Sequence, residues 1–305
     1  MNFSKNNTSL INALTSISII WIAPTILFYL LSYANISGIF LSQTFSFVVI
    51  VFFIFLLSNT MVIFLRYDRN YLCTHNNIRR NLLINLIIFR LLLFQIENTD
   101  SFAGILAGIA GTTTLIIFAS LLGSYLSQAI KRLPELIPVC SVAFTVDLYS
   151  VLQGPSKKIA LQIGEYYSSG AKGTVPYVDI ILIKIPHLTV NYLTPIFGVS
   201  DWIFVVFFTT TLLKFRVSDS VLGSDITTLI DSENRQFYFP LVSIGLLTSI
   251  FIAYIANIFV PALPIIIMIV LPWIIIKHPN LWNMKASDYY LTLIPPVVAI
   301  IVYFS

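Results

Sequence analysis

Apolar runs of about 20 residues recur along the whole chain and are separated by short polar connections. A run of that length is sufficient to cross the hydrocarbon core of a bilayer as a helix. The runs show no period-two alternation, so they predict helices and not the strands of a barrel. The pattern predicts nine membrane-spanning segments, at residues 9–33, 37–65, 82–95, 102–130, 136–154, 194–215, 239–259, 261–277 and 289–304.

The composition agrees with a lipid environment. The chain has 305 residues, of which 57% are hydrophobic and 10% are charged, and its mean hydropathy is +0.90. Soluble domains carry about 25% charged residues. We therefore predict an all-α, polytopic transmembrane helix bundle. The third segment is short and contains Arg90, so an interfacial or re-entrant helix is the alternative there.

The basic residues lie mainly in the connections, where they act as topology signals and do not indicate a nucleic-acid partner. With nine spans, 12 Lys and Arg residues lie on the N-terminal side of the membrane and 4 on the other side. If the third segment does not span, the split becomes 9 against 7. The stronger bias predicts a cytoplasmic N-terminus and an external loop at residues 155–193. Within that loop, residues 175–190 are expected to form a strand or a segment packed on the bundle.

Two of the thirteen acidic residues, Asp147 and Asp201, lie inside apolar segments, and the others lie in connections or at segment ends. A carboxylate in lipid costs several kcal/mol unless it is paired, hydrated or protonated. Each aspartate is about seven residues from the loop at 155–193, so both are expected about 10 Å from one membrane face. Two adjacent carboxyl groups that share one proton can activate a water molecule and protonate a departing amide. Acids at such positions also serve ion or proton pathways, or helix–helix hydrogen bonds.

Other chemistries have weaker support in the sequence. It contains no His-Glu-x-x-His motif for zinc, and its three histidines lie in separate connections. Cys73 and Cys140 have no metal-ligand or disulfide spacing. No metal or organic cofactor is expected. The glycines at 104, 108 and 111 predict close packing between helices, as small residues do in membranes.

A third motif, Pro261-Ala262-Leu263 within Val260-Pro261-Ala262-Leu263-Pro264, lies at the junction of the seventh and eighth predicted segments, on the same face as the loop at 155–193. Together with Asp147 and with Gly198-Val199-Ser200-Asp201, it resembles the core of the presenilin and signal peptide peptidase family. That core has an aspartate in one helix, Gly-x-Gly-Asp in the next and Pro-Ala-Leu two helices on. The likeness covers residues 136–277. Ser200 replaces the family's second glycine, and Val146 stands where a tyrosine is usual.

The resemblance implies an intramembrane aspartyl protease, with residues 1–135 as N-terminal helices and 136–305 as the catalytic core. Asp147 and Asp201 would be catalytic, and the substrates would be transmembrane helices of other membrane proteins. Pro261 and Pro264 are expected to keep the motif out of a regular helix and to leave its carbonyls exposed. The alternatives are an ion- or proton-coupled transporter or channel subunit and an inactive presenilin-like scaffold. The implied substrate-binding residues are Gly198, Val199, Ser200, Pro261, Ala262 and Leu263.

Overall fold

The computed structural model describes residues 3–33, 43–70, 72, 75–97, 101–171, 173–187, 190, 192–231, 237–256, 259–279 and 283–304. These residues are mostly helical, which confirms the predicted structural class. The helices are α1 (Phe3–Tyr33), α2 (Gln43–Asn70), α3 (Asn76–Glu97), α4 (Phe102–Ser127), α5 (Leu136–Leu152), α6 (Pro155–Ser168), α7 (Val199–Lys214), α8 (Ile226–Asp231), α9 (Leu241–Ala256), α10 (Ala262–Lys277) and α11 (Ala286–Phe304). The strands are β1 (Leu182–Pro186), β2 (Leu193–Gly198), β3 (Ser220–Gly223) and β4 (Tyr238–Pro240).

Each of the nine predicted segments overlaps a helix, including the third, which is the 22-residue α3. Residues 37–42 of the second segment lie outside the described residues. Helices α9 and α10 are apolar but have only 16 residues each. The crossing of all nine helices therefore stays a prediction. Within the described residues, four stretches are long and apolar enough to cross a membrane, namely Asn12–Ser32, Ser46–Arg69, Phe102–Ser127 and Leu133–Leu152.

Side-chain contacts join the connections at two opposite ends of the bundle. At one end the C-terminal part of α2 meets the C-terminal part of α4, the connection after α4 meets the end of α7, and the C-terminal part of α10 meets the connection after α7. At the other end, the last residue of α3 meets β1 and the C-terminal part of α5 meets the start of α10. Successive long helices therefore run in opposite directions. The contacts at the first end are Asp68 with Ser124, Lys214 with Ile130 and Trp273 with Ser218.

Glycines allow close approach between two pairs of helices. A Cβ on Gly123 of α4 would lie 2.6 Å from the carbonyl oxygen of Ile203 on α7. A Cβ on Gly245 of α9 would lie 2.8 Å from the Cα of Ile266 on α10. Such contacts require a residue without a side chain. These packed pairs hold α7 and α10, the helices that carry two of the predicted motifs.

The stretch predicted as an external loop contains regular structure. It holds α6, a short 3-10 helix at Tyr177–Ile181, and β1, which pairs antiparallel with β2. Ile183 and Ile185 of β1 are buried, and β1 packs against α1 and α4. The expectation of a strand is met at Leu182–Pro186, which also packs on the bundle. Tyr177–Ile181 forms a 3-10 helix instead, and residues 188 and 189 lie outside the described residues.

The predicted helix at residues 194–215 is wrong at its start. Residues 193–198 form β2, and α7 begins only at Val199. Pro195 disfavours a helix in the residue before it and cannot donate a helical hydrogen bond. Pairing of β2 with β1 supplies the backbone hydrogen bonds instead.

A second antiparallel strand pair, β3 with β4, lies beyond the end of α7. Just before it, the fully buried Asp219 accepts hydrogen bonds from the Tyr238 hydroxyl, which is 2.7 Å from each carboxylate oxygen. The Asp219 carbonyl also accepts a hydrogen bond of 2.8 Å from the Leu241 amide, which joins this strand pair to the start of α9. Burial is the main cause that raises the pKa of Asp219 to about 7.

Candidate active site

Asp147 lies on α5, five residues before that helix ends at Leu152. Its carboxyl group is partly exposed. Its Oδ2 atom accepts a hydrogen bond of 3.2 Å from the backbone amide of Leu263. The first predicted aspartate therefore contacts the Pro-Ala-Leu motif directly, across 116 residues of sequence.

Asp201 lies in the first turn of α7 and not deep within a helix, because α7 begins at Val199. Its Oδ2 atom accepts a hydrogen bond of 3.0 Å from the amide of Gly198, the residue that precedes the helix. A carboxylate three residues into a helix commonly accepts from this amide, which has no acceptor within the helix. The junction of β2 and α7 thus fixes the orientation of the second aspartate.

The structure brings the two aspartates together. They lie close enough for the charge of Asp147 to act on Asp201. Helix α10 packs against α5 and also contacts α7, so it lies beside the helices of both acids. The Asp147 carboxyl, the Asp201 carboxyl and the Leu263 amide form one site, which we call the aspartate site.

The expectation that prolines keep the Pro-Ala-Leu motif out of a helix is wrong. Helix α10 begins at Ala262, with Pro261 as its N-cap residue and Pro264 in its first turn. Proline is tolerated there because amides of the first turn have no acceptor within the helix. The motif therefore presents the amide of Leu263, at the positive end of the helix, to the Asp147 carboxylate.

The other predicted substrate-binding residues lie on both sides of the aspartate site. Val199 and Ala262 are buried, whereas Ser200 is exposed. A Cβ on Gly198 would lie 3.2 Å from the Ser200 hydroxyl and 3.6 Å from Asp201 Oδ2. The absence of a side chain at Gly198 thus leaves space next to a polar hydroxyl and a carboxylate.

A buried ion-pair cluster lies at the same end of the bundle, and sequence reasoning missed it. Lys184 of β1 pairs with Glu97 of α3 and with Asp179. Arg90 of α3 pairs with Glu97 at 2.8 Å, and its Nε donates to the carbonyl of Ile180 at 2.8 Å. The sequence does carry a signal for this cluster, because three charged residues lie in otherwise apolar stretches, namely Arg90, Asp179 and Lys184. The cluster ties the hairpin that leads to Asp201 to α3.

Two glycines of α4 lie against charged side chains as well as apolar ones. A Cβ on Gly108 would lie 2.9 Å from Leu193 Cδ1 and 3.2 Å from a carboxylate oxygen of Glu97. A Cβ on Gly111 would overlap the guanidinium of Arg90. These glycines therefore make room for charged side chains of α3 inside the bundle.

Within the described residues, no group of three or more His, Cys, Asp or Glu side chains is arranged to hold a metal ion. Cys140 is buried with a free thiol, and Cys73 lies outside the described residues. Comparisons of the chain with protein-family models, with curated proteins and with solved structures gave no significant match. The likeness to presenilins and signal peptide peptidases thus depends on the three motifs.

Proposed function

We propose that this protein is an intramembrane aspartyl protease that hydrolyses peptide bonds in or near the transmembrane segments of other membrane proteins. The observation that carries the proposal is the convergence of Asp147 and Asp201 from two helices, next to the amide of Leu263. Three motifs from separate parts of the chain contribute to this one site. No cofactor is required by such a mechanism.

The hydrogen bonds suit the two aspartates to acid–base catalysis. The Leu263 amide holds one oxygen of Asp147, and the Gly198 amide holds one oxygen of Asp201. Each carboxyl group keeps a second oxygen for a water molecule or a substrate. The ionised member of the pair takes a proton from water, which attacks the scissile carbonyl carbon, and the protonated member gives its proton to the departing nitrogen.

The proposed substrates are transmembrane helices, which must unwind to expose a peptide bond. Exposed Ser200 and the space beside Gly198 would receive the unwound backbone next to Asp201. On the side of Asp147, the unwound backbone would be bordered by Pro261, Ala262 and Leu263. The enzyme would be a multi-pass integral membrane protein with a cytoplasmic N-terminus, as the charge distribution favours.

The proposal is tested with purified protein in detergent, incubated with a synthetic transmembrane peptide and analysed by mass spectrometry. The wild type should cut the peptide, and Asp147→Ala should not. Glu165→Gln serves as the matched control, because Glu165 is an exposed acid of α6 and its removal should leave cleavage intact. Cleavage that persists in Asp147→Ala would contradict the proposal. Ion flux in proteoliposomes without cleavage would favour a transporter.

A further inference from the structure

A cavity of about 550 Å³ lies at the end of the bundle where α1 and α3 finish and α4 begins. Residues of α6, β1 and the start of β2 close it from the other side. Its volume is in the range of small-ligand sites, which are commonly 300–1,000 Å³. It lies apart from the three predicted motifs, since none of their residues lines it.

Aromatic rings make up much of the cavity lining, which includes Tyr29, Tyr166, Tyr167 and Tyr192. The rings of Tyr166 and Tyr167 are 5.1 Å apart, and those of Tyr167 and Tyr192 are 5.9 Å apart. The Tyr192 hydroxyl donates to the Tyr167 carbonyl at 3.1 Å, which holds the two segments together. Aromatic rings attract ammonium groups, and most strongly where water is excluded.

The charged residues of the lining, Glu97, Asp179 and Lys184, belong to the buried ion-pair cluster. Because Arg90 pairs with Glu97, the cluster has a formal net charge of zero. Lys184 pairs with both carboxylates, so its charge is already compensated within the wall. Asp179 also accepts a hydrogen bond of 2.7 Å from the Tyr167 hydroxyl, and this bond orients Tyr167 in the wall. A wall without net charge suits a ligand without net charge, and the ammonium group of such a ligand would meet the tyrosines.

The rim of the cavity faces the region where lipid is expected. Leu30 on α1 is 54% exposed and Phe102 on α4 is 62% exposed, and both line the cavity. Both residues belong to stretches that are long and apolar enough to cross a membrane. Tyrosines gather at the level of lipid headgroups. The occupant therefore combines an ammonium group with an apolar tail.

We propose that this cavity is a binding site for a zwitterionic phospholipid, whose ammonium group lies among the tyrosines and whose acyl chains lie against Leu30 and Phe102. The inference is independent of proteolysis. The proposed lipid preference is the opposite of the one expected from the overall charge of the protein, because a chain with a net charge of +4 attracts anionic lipids non-specifically.

The test is native mass spectrometry of the purified protein in mixed micelles that contain equal amounts of phosphatidylethanolamine and phosphatidylglycerol. The wild type should retain one phosphatidylethanolamine in preference to phosphatidylglycerol, on the order of tenfold. Val175→Trp should fill the cavity and abolish this preference, because Val175 lines it from a loop. Val221→Trp, which places the same side chain on β3 at the opposite end, should leave the preference unchanged.

Tyr192→Leu gives a second test that adds no bulk, and Tyr177→Leu is its control, because Tyr177 is 88% exposed and does not line the cavity. Tyr192→Leu should weaken the preference several-fold, and Tyr177→Leu should not. Water-soluble phosphoethanolamine, added at the same concentration as the lipid, should give no increase in the melting temperature of the protein. Equal retention of the two lipids, or a preference that survives both Val175→Trp and Tyr192→Leu, would overturn the proposal. A thermal effect of phosphoethanolamine equal to that of the lipid would show that the tail is not recognised.

Discussion

The backbone amide of Leu263 donates a hydrogen bond of 3.2 Å to the carboxylate of Asp147. This contact joins two of the three sequence motifs, and it is made by the first turn of α10 and not by an irregular segment. Because the N-terminal amides of a helix favour a neighbouring negative charge, α10 supports an ionised Asp147. In the proposed mechanism this interaction fixes one oxygen of Asp147, as the Gly198 amide fixes one oxygen of Asp201.

Close packing of α4 on α7 should be sensitive to a single methyl group. Gly123→Ala places a Cβ against the backbone of Ile203, so we expect a loss of about 1–3 kcal/mol in the free energy of unfolding. Gly164→Ala is the matched control, because a Cβ there meets no atom within 4 Å. It should stabilise α6 slightly, by about 0.5–1 kcal/mol. Thermal unfolding in detergent measures both changes, and equal melting temperatures for the two variants would contradict the packing described.

The buried Asp219 should make stability depend on pH. Its pKa is raised in the folded state to about 7, mainly by burial, so the folded protein retains a proton that the unfolded chain loses above about pH 4. This contribution to stability is fully present below about pH 4 and is lost as the pH rises through about 7. Melting temperatures of the wild type should therefore fall over that range.

Asp219→Asn isolates this effect, because the asparagine oxygen can still accept from the Tyr238 hydroxyl but cannot ionise. The variant should show a smaller decrease in melting temperature between about pH 5 and pH 8 than the wild type. Parallel pH profiles for the two proteins would exclude Asp219 as the responsible group.

Membrane orientation can be tested with two exposed serines at opposite ends of the bundle. Ser168→Cys on α6 should react with a membrane-impermeant maleimide added to intact cells, and Ser218→Cys after α7 should not. The wild type controls for the native cysteines. A reporter fused after Ser305 should also lie outside. A cytoplasmic reporter would mean that a predicted span does not cross, with α3 as the first candidate.

The helices and the two candidate aspartates could be identified from the sequence because both depend on local patterns. Apolar length locates the helices, and an isolated aspartate in such a run stands out against the cost of burying charge. Residues 194–198 could not be assigned correctly from hydrophobicity. These residues form a strand because they pair with β1, and their own hydrophobicity does not reveal that pairing.

The ion-pair cluster shows a second limit. The sequence predicts that Lys184 lies in an external loop, yet its side chain is buried between Glu97 and Asp179. Its burial depends on carboxylates that come from different elements. The same holds for Gly111, because only the position of Arg90 explains the need for a residue without a side chain there.

The central claim is that Asp147 and Asp201 act as one catalytic pair. Asparagine is nearly isosteric with aspartate but cannot ionise, so Asp147→Asn and Asp201→Asn should each abolish cleavage while the protein stays folded. The double variant should be no less active than either single variant, because groups that act as a unit have non-additive effects. Wild-type activity should fall on both sides of a pH optimum, as the pair gains a second proton or loses the shared one.

The most direct measurement is the cleavage rate of a transmembrane peptide by purified wild type, Asp201→Asn and Glu165→Gln in the same detergent, with folding checked by circular dichroism. The proposed mechanism predicts product from the wild type and from Glu165→Gln, and none above background from Asp201→Asn. A folded Asp201→Asn protein that cuts the peptide at the wild-type rate would contradict it.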